Sequence, residues 1–254
     1  MRDGPPVAHD GLYQDPETAR FYDIENGWRR DFDFCAELAK EVSSVLDLGC
    51  GTGQLTAALC KGGRRDVVGV DPAQPMLDIA SARPGGQNVN WVLGDARDVR
   101  LGRRFELIVM TGHAYQVFLT REDRRAALET IAAHLAPGGR FVFDTRNTAC
   151  REWEEWTPER SRATLHHAAY GEVFVWNDFA RDPASGIVTY QTHYEVAATG
   201  TCHSASASIA FPELEEVTEL VDAAGLRIES MLGDWDGSPW HVNAREIVIV
   251  GSRA

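Results

Sequence analysis

Three glycines at alternate positions, Gly49, Gly51 and Gly53, end the apolar run of LDLGCGTGQL at residues 46–55. Glycine tolerates positive φ and carries no Cβ, so such a turn lets a ligand approach the backbone closely. Two phosphate-binding readings are disfavoured, each by a single residue. A P-loop needs a Lys-Ser/Thr pair after its second glycine, and Gly53 is followed by Gln54-Leu55. A dinucleotide turn, G-x-G-x-x-G, needs its third glycine at position 54, where Gln54 stands. Two acids follow. Asp71 ends VVGVD, where a carboxylate can accept hydrogen bonds from both hydroxyls of a ribose; the alternative is a helix cap after Pro72. Asp95, in Gly94-Asp95-Ala96, can accept from an adenine amino group or act as a turn acid. Turn and acids together point to an adenosine-type ligand without selecting one.

The elements around these residues must bring them to one edge. Apolar runs at 44–48, 66–70, 90–93, 105–110 and 140–144 read as strands, with helices at 54–61, 74–83 and from Thr120 onward. That last helix carries the stripe Leu128, Ile131, Ala132 and Leu135 and is stopped by Pro137-Gly138-Gly139. Buried strands alternating with helices predict a mostly parallel sheet covered on both faces. Upstream, Asp15-Pro16-Glu17 reads as a helix start after a loose segment at 1–14, and Phe34, Leu38 and Val42 predict a helix at 34–42. The rhythm changes after residue 150. Strands at 172–179, 187–197 and 201–211, separated by turn-rich pieces, predict an antiparallel unit. A helix at 213–224 and strands at 226–232 and 246–251 close the chain.

Composition narrows the partners. The 254 residues are 44% hydrophobic, enough for a core, and 38 acids against 25 bases give a net charge of -13. That balance argues against DNA or RNA, which want a basic face. Five scattered cysteines without CxxC spacing argue against a disulfide framework or zinc site, and His166, His167 and His193 lack a ligand spacing. No signal-peptide core or membrane-length apolar run is visible, so a cytoplasmic location is expected.

The stretches VLDLGCGTG, VVGVDPAQPML, GDARDV, FELIVM and LAPGGRFVFD, in this order, closely resemble the class I S-adenosylmethionine-dependent methyltransferases, of small-molecule type. The resemblance covers residues 45–147 and, more loosely, the closing helix and strands. It implies an α/β fold: a seven-stranded Rossmann-like sheet with strand seven antiparallel between five and six, helices on both faces, and an antiparallel β insertion. It implies donor binding at the tips of strands one to four, S-adenosylhomocysteine as product, and no metal. By resemblance Gly49, Cys50, Gly51 and Gly53 border the methionine part, with Cys50 a small turn residue rather than a nucleophile. Asp71 meets the ribose, Met76, Asp95 and Ala96 the adenine, Pro72 lies in the turn between them, and Thr111 follows strand four beside the donor. Tyr22, in ARFYD, resembles part of the helix that closes over the donor; its ring lies near the sulfonium or simply packs. A donor without pyrophosphate also explains Gln54.

For the acceptor, methyl transfer needs alignment and, for a hydroxyl or ammonium, removal of a proton. The resemblance places His113 as candidate base, with Tyr115 and Gln116 orienting the acceptor. Arg146, Asn147 and Trp235 then face the acceptor, Arg146 as a fixed cation for an acidic one. The expected division is an N-terminal and donor-binding part at 1–151, an insertion at 152–211 covering the acceptor pocket, and a closing part at 212–254. The expected function is methyl transfer to a small molecule, with secondary metabolism as a setting. The expectation includes no DNA, no membrane, and a monomer or homodimer. A tRNA or protein methyltransferase, a non-catalytic donor-binding protein and an NAD-dependent oxidoreductase are the competing readings.

Overall fold

The computed structural model describes residues 11–61 and 65–254. Four short N-terminal helices, α1 (Gly11–Gln14), α2 (Pro16–Ala19), α3 (Tyr22–Glu25) and α4 (Arg30–Leu38), precede the sheet. Then β1 (Ser44–Leu48), α5 (Gln54–Leu59), β2 (Asp66–Asp71), α6 (Gln74–Ala82), β3 (Asn90–Leu93), β4 (Phe105–Met110), α7 (Arg121–His134) and β5 (Leu135–Arg146) alternate. A short helix α8 (Pro158–Ser161) leads into β6 (Ala163–His167), β7 (Gly171–Arg181), β8 (Val188–Val196) and β9 (Thr201–Ile209). The chain ends with α9 (Leu214–Ala223), β10 (Leu226–Leu232) and β11 (Glu246–Arg253).

The main sheet has seven strands in the order β10-β11-β5-β4-β1-β2-β3, and β11 runs antiparallel to both β5 and β10. The other pairings are parallel. Side chains alternate across a strand with period two, so each strand feeds two cores. Leu46, Leu48, Ile108, Met110, Phe141 and Phe143 join Leu128 and Ile131 of α7 and Leu220 of α9 on one face. Val45, Leu107, Val109, Val142 and Val248 join Cys35 of α4 and Leu55 of α5 on the other. Both faces are thus covered, as the unbroken apolar strands predict.

The expected cap forms: Asp15 accepts from the Glu17 N–H at 2.9 Å, and Thr120 accepts from the Asp123 N–H at 3.1 Å. Other expectations shift. The helix expected at 34–42 is α4, which begins four residues earlier and tightens into a 3₁₀ turn at Ala39–Glu41. Pro137-Gly138-Gly139 does not lie between helix and strand. The strand already starts at Leu135, and the register step from Phe105↔Leu135 to Leu107↔Arg140 puts these residues in a bulge. Gly138 there has φ +75°. Of the segment expected to be loose, residues 1–10 lie outside the described residues, and 11–14 form α1.

Beyond β5, a separate antiparallel sheet runs β6-β7-β8-β9. The strand β6 escaped the sequence reading because its side chains stay largely exposed and show no buried alternation. This sheet buries one face against the N-terminal helices: Leu12 and Phe21 pack with Val173, Val175, Tyr194 and Ala207. No helix among the described residues is long and apolar enough to cross a membrane.

Candidate active site

The glycine turn hangs on the second strand. The Gly49 and Cys50 N–H groups both donate to the Val70 carbonyl, at 2.8 and 3.0 Å. Gly49, Gly51 and Gly53 have φ of 74°, 52° and 72°. The spacing matters differently at each position. A Cβ on Gly53 would lie 2.5 Å from the Trp91 ring and 2.8 Å from Ala80, so this glycine lets α5 and α6 close together. A Cβ on Gly51 would instead face Tyr22, 3.8 Å away, across the cleft.

Asp71 ties the two turns together. One carboxylate oxygen accepts the Gly51 N–H at 2.8 Å and the other the Ala73 N–H at 2.9 Å. Burial pushes its carboxyl up to about 6, against the pull of those two N–H groups. Each oxygen keeps a lone pair for a hydroxyl donor. Asp47, in the middle of β1, accepts from Thr56 at 2.5 Å, and burial pushes it up to about 7. Asp47 lines a cleft of about 530 Å³, counted out to its open mouth, together with Tyr22, Asp31, the turn residues Gly49–Thr52, Thr111 and Gly112, and Asp71 is joined to it through its bond to the Gly51 N–H. Asp31, on α4, has a buried carboxylate oxygen without a partner among the described residues. Burial pushes its carboxyl upward too. An acidic cleft whose turn offers bare backbone and whose ribose acid is free to accept fits a cationic adenosine donor such as S-adenosylmethionine.

Gln54 has a positive role beside the negative one. Its amide donates to the Asp23 carboxylate at 3.0 Å and to the Asn26 carbonyl at 2.6 Å. Asp23 also accepts from Thr52 at 2.6 Å and pairs with Arg83. The residue standing where a dinucleotide turn has glycine therefore latches α3, and Tyr22 with it, over the turn.

The other expected donor residues sit around this cleft in different ways. Cys50 lines it, but burial holds its thiol well above the ordinary range. Met76 is buried against Ala19, Ala73 and Tyr22, forming the wall behind α6. Ala96 is buried in the main core. Asp95 binds the Arg97 guanidinium at 3.0 and 2.6 Å. Burial opposes its ionisation, but Arg97 holds its carboxyl below the usual range. Pro72 is exposed, and its carbonyl accepts from Gln14 at 3.1 Å.

Next in the chain after the cleft-lining Thr111 and Gly112, though not itself lining the cleft, stands His113, with φ 61° in the left-handed region. Its backbone N–H donates to both Asp144 oxygens, at 3.1 and 3.2 Å. Its Nε2 lies 2.9 Å from Glu246 and 3.4 Å from Asp144. Asp144 is fully buried at the end of β5, and burial pushes its carboxyl up to about 6. Burial also opposes the charge of Glu246, but the His113 contact outweighs it and holds that carboxyl low. One ligand atom from each of these three residues lies within 4.8 Å of the others, so the absence of a metal expected from the sequence finds no support here.

Five residues expected on the acceptor side are engaged elsewhere in the structure. Tyr115 is fully buried, its ring 4.7 Å from that of Phe143, and so cannot touch an acceptor. Gln116 is also fully buried: it donates to the Ala210 carbonyl at 2.8 Å and accepts from Arg146 at 2.8 Å. It joins the main sheet to the end of β9. Asn147 spends its amide on the Val242 and Ala244 carbonyls, at 2.9 and 2.7 Å, and caps the turn at Thr148–Cys150. Trp235 packs edge-on against Phe34 at 5.5 Å and does not line the cleft. Arg146 is no free cation. It pairs with Glu152 at 2.8 Å and lies 5.2 Å over the Trp156 ring. Polar residues at strand ends serve junctions as readily as ligands, and local sequence does not tell these apart. Missed altogether were Asp31, Asp47, Asp144 and Glu246; the last three had as their only signal an acid inside, ending or beginning an apolar run, and Asp31 had none.

Comparison with known proteins gives the same direction. A methyltransferase-domain family model matches residues 45–139. A dTDP-3-amino-3,6-dideoxy-alpha-D-glucopyranose N,N-dimethyltransferase of Streptomyces fradiae is 30% identical over 251 residues, covering 92% of this chain and 91% of that protein. A cypemycin N-terminal methyltransferase of a Streptomyces species is 28% identical over 210 residues, 83% of each. The solved structure of DesVI from Streptomyces venezuelae superposes with a TM-score of 0.70 at 26% identity, covering 97% of this chain and 98% of that one. Taken with the strand order and the donor cleft, this similarity over nearly the whole length means that the chain belongs to the class I S-adenosylmethionine-dependent methyltransferase family, in its small-molecule type, and is a methyl-transferring enzyme.

Proposed function

We propose that the enzyme methylates an amine nitrogen of a small-molecule acceptor. The observation that carries this reading is charge. Asp31, Asp144 and Glu246 surround His113 beside the Thr111–Gly112 end of the donor cleft, while the nearby Arg146 is already neutralised by Glu152. An acceptor that arrives as an ammonium suits that end; a carboxylate acceptor does not. The relatives support it by name, since one acts on an amino sugar and one on a peptide N-terminus.

The bound donor supplies a methyl carbon already activated by its sulfonium, so alignment and proton removal are what remain for the protein. In this reading Gly49, Gly51 and Asp71 hold the donor, Tyr22 closes over it, and Met76, Asp95 and Ala96 build the adenine end. Thr111 and Gly112 lead to His113, the proton acceptor. The sheet β6–β9, within 152–211, covers the acceptor side, joined to the site through Gln116 and Ala210. The expected test is a panel of amino sugars and N-terminal peptides beside their hydroxyl analogues, with products weighed by mass spectrometry. Mass gain confined to amines supports the reading. Methylation of the hydroxyl analogues with none of the amines sinks it.

A further inference from the structure

We propose that Glu246 and Asp144 are positioning residues that set His113 as the proton acceptor of the reaction, an inference that rests on the amine reading above. Three strands converge to build this group. His113 follows β4 and two cleft-lining residues, Asp144 lies near the end of β5, and Glu246 begins β11. The antiparallel register places Glu246 beside Arg146 and Val248 beside Asp144. A residue near position 246 in the chain is thereby brought to one near 113, although 133 residues separate them.

The contacts divide the work. Asp144 accepts the His113 backbone N–H with both oxygens, which holds a left-handed conformation that a residue with a Cβ adopts at a cost. Glu246, at 2.9 Å, accepts from Nε2. An attractive contact at that distance requires the hydrogen on Nε2, because two acceptors would repel. The tautomer so selected leaves the lone pair on Nδ1, which has no hydrogen-bond partner among the described residues. Orientation of an imidazole by a carboxylate on its far nitrogen is an established way to fix tautomer and ring together.

The proton balance is simple. The acceptor's N–H bond breaks and its proton passes to Nδ1. The freed electron pair forms the N–C bond while the C–S bond breaks and its pair stays on sulfur. The imidazolium that results is flanked by two carboxylates, and Glu246, one-fifth exposed where Asp144 is fully buried, gives the route to solvent.

The test compares Glu246→Gln, Glu246→Asp, Asp144→Asn and His113→Gln with the parent enzyme on whichever acceptor is methylated. The charged groups facing His113 are Asp144 from β5, Glu246 from β11 and Asp31 from α4, with Arg146 and Arg245 acting on Glu246. Glu246→Gln is expected to lower kcat about 10- to 100-fold with donor Kd unchanged, a part of the roughly 10²- to 10⁴-fold that general-base assistance supplies, since the base itself remains. It also moves the acidic limb of the kcat profile to lower pH, since a stabilising carboxylate is gone. Glu246→Asp restores most of both, and His113→Gln removes the limb. A limb that stays in place in Glu246→Gln and His113→Gln overturns the proposal, even where kcat falls. So does a stoichiometric divalent metal found by elemental analysis in the parent and lost in Glu246→Gln, which would make the trio a metal centre. Thermal melting of Asp144→Asn shows whether that variant folds; the Glu246 pair carries the test if it does not. Because product mass reports the methylated atom independently, failure here and failure of the amine reading are distinguishable.

Discussion

Asp71 is the residue on which the donor site turns. It accepts two backbone N–H groups and retains capacity for two hydroxyls. Asp71→Asn is expected to lower donor affinity about 10- to 100-fold, since charge-assisted hydrogen bonds are worth ~1.5–3 kcal/mol; calorimetry of donor binding checks this. The wild-type carboxyl, raised by burial to about 6, is partly protonated at pH 6. Hydroxyl donors favour its ionised form, so donor binding releases protons at pH 6 and fewer at pH 8. Binding enthalpies measured in two buffers of different ionisation enthalpy reveal the release as a buffer-dependent difference. Equal enthalpies at pH 6 would mean that Asp71 does not contact the donor. At this scale the sequence was informative about the donor: turn glycines and Asp71 could be named from their neighbours. It was uninformative about Tyr115, Gln116 and Asn147, whose polar atoms or rings look inviting in a list and turn out to be buried or spent on backbone carbonyls.

At the scale of elements, α3 and the turn before α5 act as one unit through Gln54 and Asp23. Gln54→Ala removes two of the hydrogen bonds that tie them, leaves those of Thr52 and Arg83 to Asp23, and does not touch the glycine backbone. The expected outcome is a several-fold rise in donor KM with little change in kcat, read from initial rates; an unchanged KM would show that α3 closes without the latch. Gly53→Ala tests a different property of the same turn. Its φ of 72° and the 2.5 Å approach of Trp91 leave no room for a Cβ. Strain at left-handed φ costs of order 1–3 kcal/mol, so a clear fall in Tm is expected before any effect on donor binding. The strands and helices themselves were mostly legible, because period-two and period-3.6 patterns are local. The exceptions have local reasons of their own. The bulge at Pro137-Gly138-Gly139 is permitted by the close approach of Gly139 to the Phe105 and Glu106 carbonyls, a fact of pairing, not of composition.

The whole molecule carries a burden of buried negative charge. Asp47, Asp71 and Asp144 are each almost fully buried, and burial raises them to about 7, 6 and 6. An unfolded aspartate titrates near ~3.9. A folded pKa above the unfolded one means that the stability these groups contribute when protonated is complete below about pH 4 and is lost as pH rises through about 6 to 7. The ligand-free protein is therefore expected to lose Tm across that window, and Asp144→Asn to flatten part of the loss. Melting curves from pH 4 to 8 for both proteins check it; a wild-type Tm that rises through the window contradicts the assignment. Adding donor at pH 7 should raise Tm more than at pH 5, because the ionised cleft is the form that attracts a cation.

The sequence by itself determined the fold class and the donor. Both depend on features a few residues wide: apolar runs that alternate with helices, a turn that needs three glycines, an acid one strand later. Such features act through the backbone nearby, so their meaning survives without coordinates. The acceptor side was decided by the tertiary structure alone. His113, Asp144 and Glu246 come from three strands, and only the insertion of antiparallel β11 beside β5 brings the last of them within 2.9 Å of the first. The charge of Arg146 was likewise visible in the sequence, but its neutralisation by Glu152 depends on how the chain turns after β5. Long-range pairing sets which polar groups are already satisfied, and that decides which remain to meet a substrate.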